Sequence, residues 1–184
     1  MSRRDELLDR ATDHALSRGL IGLSLRPLAA AIGTSDRMLL YHFGTRDDLV
    51  MAIIGASNDR SVEVVRGLPP APDLREGVLR LWAAYQTEPL SSCERLYVQA
   101  AASGLLGEEP YRSGVLVANG RWTGAVSDWL LACGARPDRV ERATRLVDSA
   151  LLGFHVDLTT DSTQQLARAV ADLAEAVAHL AGSD

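Results

Sequence analysis

Apolar residues recur at three- and four-residue intervals along most of this 184-residue chain, and no stretch shows the strict alternation of a half-buried strand. The first helix is predicted over residues 3 to 18, where Leu7, Leu8, Ala11, Ala15 and Leu16 form one stripe and Gly19 ends it. A short second helix follows. Ser24 is its N-cap candidate, Pro27 sits in the first turn where a missing N–H costs nothing, and Leu28, Ala29 and Ile32 share a face before Gly33 closes it. Thr34 or Ser35 caps a third helix running through Tyr41. Gly44 and Thr45 restart the chain. Thr45 with Asp48 makes a capping-box-like start in which Asp replaces the usual Glu, and Leu49, Ile53 and Ala56 carry a fourth helix to about Arg66.

Gly67-Leu68-Pro69-Pro70-Ala71-Pro72 cannot be regular helix, because three prolines remove donors and fix extended geometry. Beyond this boundary come Leu74, Val78, Leu81, Trp82 and Tyr85; then Leu96, Tyr97, Ala100 and Ala101; then Val115, Trp122, Val126, Trp129, Leu130 and Cys133. Pro89, Pro110 and Pro137 fall at the breaks. Two last helices carry broad, alanine-rich apolar faces, one through Val140, Ala143, Val147, Leu151 and Phe154, the other through Leu166, Val170, Leu173 and Val177. Small residues let helix axes approach closely, so a pair from each of two chains could build a four-helix dimer interface. The same stripes would also complete a core within one chain, and periodicity does not separate the two. The whole pattern predicts an all-α protein.

The second and third helices, joined by a tight turn, make a helix-turn-helix. Ala29 is small enough for a close helix crossing, with Leu28, Ile32 and Leu39 filling the space behind it. The third helix then presents Ser35, Asp36, Arg37, Met38 and Tyr41 outward, a face that suits a DNA major groove.

The run G-x-S-x-x-x-L-x-x-H-F followed by T-R-x-x-L, seen as Gly33, Ser35, Leu39, His42, Phe43, Thr45, Arg46 and Leu49, resembles the DNA-binding signature of the tetracycline-repressor (TetR) family. Leu8, Ala11, Gly19, Ser24, Leu28 and Ala29 stand at that family's spacing, so the resemblance covers roughly residues 5 to 50. Two positions depart from it: Leu40 takes the place of a common tyrosine, with Tyr41 beside it, and Arg46 replaces a common lysine. The resemblance implies a three-helix DNA-binding domain over residues 1–48 and a helical ligand-binding and dimerisation domain over residues 49–184. Its partners would be a double-stranded DNA operator, a second copy of the chain and a small-molecule effector. DNA contacts are then expected from Arg3, Arg4, Ser24, Arg26, Ser35, Asp36, Arg37, Met38, Tyr41, His42, Thr45 and Arg46. Of these, Arg46 and Thr45 are assigned to phosphates and Arg37 and Met38 to base edges. The resemblance also tips the last two helices towards dimerisation, through Val140, Ala143, Val147, Leu151, Leu166, Val170, Leu173 and Val177.

Trp82, Tyr85, Tyr97, Trp122, Trp129 and Phe154 are the large aromatics expected to line an effector site, with His155 beside them. Core packing is the plainer reading of each alone. Such a cavity would favour an apolar or aromatic compound carrying few charges.

Charge sharpens the picture. All 19 positive charges are arginines and the net charge is −5, which argues against indiscriminate nucleic-acid binding. Residues 1 to 50 hold seven arginines against seven acids, and the remainder twelve against seventeen. DNA binding therefore requires arginines segregated towards the duplex, with Asp5, Asp9 and Asp13 together on one helical face away from it. Cys93 and Cys133 lie on apolar faces and are expected to be reduced thiols in a cytoplasmic protein. No signal-peptide core or membrane-length run is seen. The four histidines lack metal-ligand spacing, His155 and Asp157 do not share a helical face, and no phosphate loop or nucleophile motif appears, so no metal, cofactor or catalytic residue is expected. The alternative function is a helical dimerisation or partner-binding protein that reads no operator, and a more distant one is a helical enzyme using His155.

Overall fold

The computed structural model describes residues 2–182, and the described residues form nine helices and no strand. In chain order these are α1 (Arg3–Arg18), α2 (Leu25–Ala31), α3 (Asp36–Phe43), α4 (Arg46–Gly67), α5 (Leu74–Tyr85), α6 (Leu90–Leu105), α7 (Tyr111–Ala132), α8 (Val140–Asp157) and α9 (Thr163–Ala181). Their starts follow from local chemistry. Ser2 and Asp5 form a reciprocal capping box on α1, Ser162 and Gln165 do the same on α9, and Asp73 accepts the Glu76 N–H at 2.8 Å on α5. Thr45 and Asp48 make the expected box, with the Asp48 carboxylate accepting from the Thr45 N–H at 3.0 Å while the Thr45 oxygen accepts from the Asp48 N–H at 3.0 Å.

Two compact units emerge, and α4, α6 and α7 each contribute to both: residues up to Ser61 with Arg95–Gly120, and Val62–Glu94 with the chain from Arg121 onward. The core of the first unit is built from Leu7, Ala11, Leu28, Leu39, Leu49 and Ile53, joined by Leu96, Ala100 and Tyr111. Arg60 of α4 binds Asp9 and, at 2.7 Å, Asp13 of α1, so two of the three aspartates on that face serve to hold α1 against α4.

In the second unit α5 packs against α8 and α9. Gly77 permits a close approach of α5 to α7: a Cβ there would lie 3.0 Å from the Cys133 sulfur. The Trp129 indole N–H reaches the Gly77 carbonyl at 3.4 Å, and the Cys133 sulfur accepts the Ala71 N–H at 3.4 Å. Both cysteines are buried, and neither forms a disulfide. Ala143, Val147, Leu151, Leu166, Val170, Leu173 and Val177 lie in this same core, none more than 8% exposed, with Val140 partly buried against it. The stripe expected to serve dimerisation is thus already spent inside one chain, because side chains so covered have almost no surface left to bury against a second. The outward faces of α8 and α9 differ: Arg142, Leu146, Ser149 and Gly153 on one, and Arg168, Asp172 and His179 on the other, are exposed.

Candidate DNA-reading head and interior aromatic site

The head is assembled from α1 to α3 and the start of α4. Gly33 at φ +70° takes the chain from α2 towards α3 through a left-handed turn that a side chain would strain. Ser35 then caps α3, its hydroxyl oxygen accepting the Met38 N–H at 3.2 Å. Leu39 and Phe43 point inward and are buried, which turns the opposite face to solvent: Ser35, Arg37, Met38 and Tyr41 are exposed, and Asp36 is half-buried. Ser24 and Arg26 at the start of α2 are exposed too.

The remaining expected contact residues are held more tightly by the protein itself. Arg3 pairs with Glu6 at 2.7 Å, and the Arg4 guanidinium lies 4.9 Å over the Phe43 ring at the end of α3, so both start from partnered positions. His42 is half-buried, with its Nε2 lacking a hydrogen-bond partner and its ring meeting Tyr41 edge-on at 5.1 Å. Arg46 is turned into the unit. Its Nε donates to the Leu23 carbonyl at 2.9 Å, one terminal nitrogen binds Asp47 at 3.0 Å and the other lies 3.4 Å from the Tyr111 hydroxyl. The Thr45 hydroxyl likewise donates to Asp48 at 2.6 Å. The donors of Thr45 and Arg46 thus start from protein acceptors, which they would exchange for phosphate oxygens in the contacts expected of them.

In the second unit, five of the seven residues expected around an effector come together. Tyr85 meets Trp122 edge-on at 5.8 Å and His155 at 6.3 Å, and Trp82 meets Tyr85 at 6.3 Å and Phe154 at 6.1 Å. Trp129 stands apart from these ring contacts, against Gly77, and Tyr97 belongs to the first unit. The Trp122 indole N–H donates to Asp148 at 2.7 Å.

Glu94 and Asp148 had no place in the sequence-based site. Glu94 is buried, and burial, reinforced by repulsion from Asp148, raises its carboxyl to about 8; Asp148 is raised as well, chiefly by burial. The available signal was a charge on an apolar stripe: Glu94 follows Leu90 by four residues and precedes Tyr97 by three. No group of three or more histidine, cysteine or acidic side chains among the described residues could hold a metal ion. Nor is any described helix long and apolar enough to cross a membrane.

No family model and no curated protein matches the sequence. Solved structures do match in fold over nearly the full chain. A transcriptional regulator from Rhodococcus sp. Rha1 aligns with TM-score 0.78 at 16% identity, covering 100% of both chains. A protein described as a TetR-family transcriptional regulator from Rhodococcus sp. aligns at 0.73 and 20% identity, covering 95% of this chain and 98% of its own. The multidrug binding protein EbrR, complexed with proflavin, aligns at 0.72 and 23% identity over 97% and 99%. The chain has the all-helical fold of TetR-family transcriptional regulators.

Proposed function

We propose that this chain is a TetR-type transcriptional regulator: a cytoplasmic repressor that binds a palindromic operator as a homodimer and is released by a small aromatic effector. The observation that carries the reading is α3, pinned by buried Leu39 and Phe43 and capped by Ser35, with Arg37, Met38 and Tyr41 left exposed as a group. A short helix fixed from behind and bare in front is the form that enters a major groove. Arg37 and Met38 are the base-reading candidates, and Ser24, Arg26 and Tyr41, all exposed, are the proposed backbone contacts.

A dimer is built in this proposal from the exposed faces of α8 and α9 around Leu146, not from the apolar stripe beneath them. The effector binds the ring cluster of Trp82, Tyr85, Trp122, Phe154 and His155. That a neighbour of the same fold was solved with proflavin supports an aromatic ligand. Such a ligand lowers operator affinity only by preferring one conformation, by about 5- to 150-fold for ordinary coupling.

The test is a fluorescence-anisotropy titration of the purified chain against duplexes from the DNA upstream of its own coding sequence. Salt-sensitive binding by a dimer to one near-palindromic duplex, well above a scrambled control, is the expected result. Equal binding to both would overturn the proposal.

A further inference from the structure

The second unit buries more acidity than its packing uses. Glu94 of α6 is 6% exposed, and the charged side chain acting on it is Asp148 of α8, another carboxyl. Burial and then that repulsion bring its pKa to about 8. Asp148 is held by the Trp122 N–H at 2.7 Å and is drawn down by Arg145, yet burial still lifts it above the ordinary range. One turn away on the same face of α8, Thr144 is 5% exposed and its hydroxyl has no hydrogen-bond partner. His155, eleven residues from Thr144, returns to that face and touches the Tyr85 ring. Trp122 joins Asp148 to the rings, because it binds that carboxylate through its N–H and meets Tyr85 edge-on at 5.8 Å.

Two carboxyls that burial lifts are costly to ionise unless a cation meets them. A neutral ligand would leave them unmet, and an anion would be repelled. A metal ion lacks a set of ligands there. An organic cation satisfies both halves of the surroundings, since ring faces attract positive charge as carboxylates do.

We propose that the interior of the second unit binds a monovalent organic cation with a planar or quaternary body, with Glu94 and Asp148 as its countercharge and Trp122 and Tyr85 against its apolar surface. The proposal rests on the effector-binding part of the proposed function and narrows it to a charge class. Binding ionises Glu94, so its carboxyl proton passes to the buffer as the cation enters.

The full-length protein is titrated by calorimetry at pH 7 with phenyltrimethylammonium, in two buffers of different ionisation enthalpy. tert-Butylbenzene, its uncharged isostere, is followed in parallel by tryptophan fluorescence. The cation is expected to bind at least tenfold more tightly than the isostere and to release close to one proton. Glu94→Gln should abolish the proton release, and both Glu94→Gln and Asp148→Asn should bring the cation-to-isostere ratio towards one. Gln is the close mimic of a carboxyl already protonated at pH 7, and should either variant fail to give a cooperative melt, the other together with the wild-type ratio decides the matter. No binding of the cation, an equal affinity for the isostere, or a ratio indifferent to the substitutions overturns the proposal. Operator titrations on the same samples keep the two readings apart: intact operator binding without cation preference sinks only the cation, and cation preference without operator binding sinks only the regulator.

Discussion

Gln99 of α6 accepts the backbone N–H of Leu20 at 2.8 Å and of Ile21 at 3.3 Å through one side-chain oxygen, tying the loop after α1 to a helix nearly eighty residues later. Leu20 is fully buried, so its N–H has no water to turn to. Gln99→Leu leaves that donor unsatisfied and is expected to destabilise the protein by about 1–3 kcal/mol. Chemical denaturation measures the loss, and amide exchange should speed up at Leu20 and Ile21. Unchanged exchange at those amides would contradict the assignment.

Arg46 and Arg37 carry the same charge and different work. Arg46 braces Leu23, Asp47 and Tyr111, whereas Arg37 is exposed on α3. Arg46→Ala is expected to lower thermal stability while leaving the salt slope of operator binding nearly unaltered. Arg37→Ala should relax base preference at one position, by about 1–3 kcal/mol for a bidentate contact. A fall of about one unit in the salt slope for Arg46→Ala would restore it as a phosphate contact.

Glu94 gives the stability of the empty protein a pH dependence with a definite sign. Its ordinary value is 4.5 and its folded value about 8, so between those limits the folded state holds the extra proton and stability falls as pH rises. One such group contributes a slope of up to about 1.4 kcal/mol per pH unit. Urea unfolding at pH 5.5, 6.5 and 7.5 should show a downward trend that is shallower in Glu94→Gln. Asp148, also raised by burial, slopes the same way, so the difference between wild type and variant is the quantity to read.

Gly77→Ala would place a methyl group 3.0 Å from the Cys133 sulfur and 3.1 Å from its Cβ. Helix propensity favours alanine by about 1 kcal/mol, but overpacking costs about 1–3 kcal/mol and wins in a core this tight. The melting temperature is expected to drop, with partial recovery in the double variant with Cys133→Ala.

Leu146 and Val147 are neighbours in sequence with opposite fates. Leu146 is 40% exposed and Val147 wholly buried. If the outer face of α8 makes the dimer, Leu146→Glu should yield a folded monomer in sedimentation, whereas Val147→Ala should cost stability by leaving a cavity and leave the oligomeric state as it was.

Much of this architecture was legible along the chain because its cues are local. Gly19, Gly33 and Gly44 end the first three helices, Ser35 and Thr45 start the next ones, and the prolines at 69, 70 and 72 lie between α4 and α5. Capping and breaking chemistry act within four residues, so spacing alone carries them. The inward position of Leu39 on α3 was equally plain, whereas buried Phe43 lies beyond the Tyr41 end that the spacing predicted for that helix. Partner choice was not local. Val147 and Val170 have the same period whether they meet another helix of one chain or of two, and only packing showed them in the core of one. Arg46 has the sequence of a phosphate ligand, and only the fold showed the Leu23 carbonyl and the Tyr111 hydroxyl as its partners within the chain. Glu94 and Asp148 stand 54 positions apart, and the repulsion that helps raise Glu94 exists only because folding buries it within reach of Asp148. Charge acquires its cost from surroundings, and surroundings are what tertiary structure supplies.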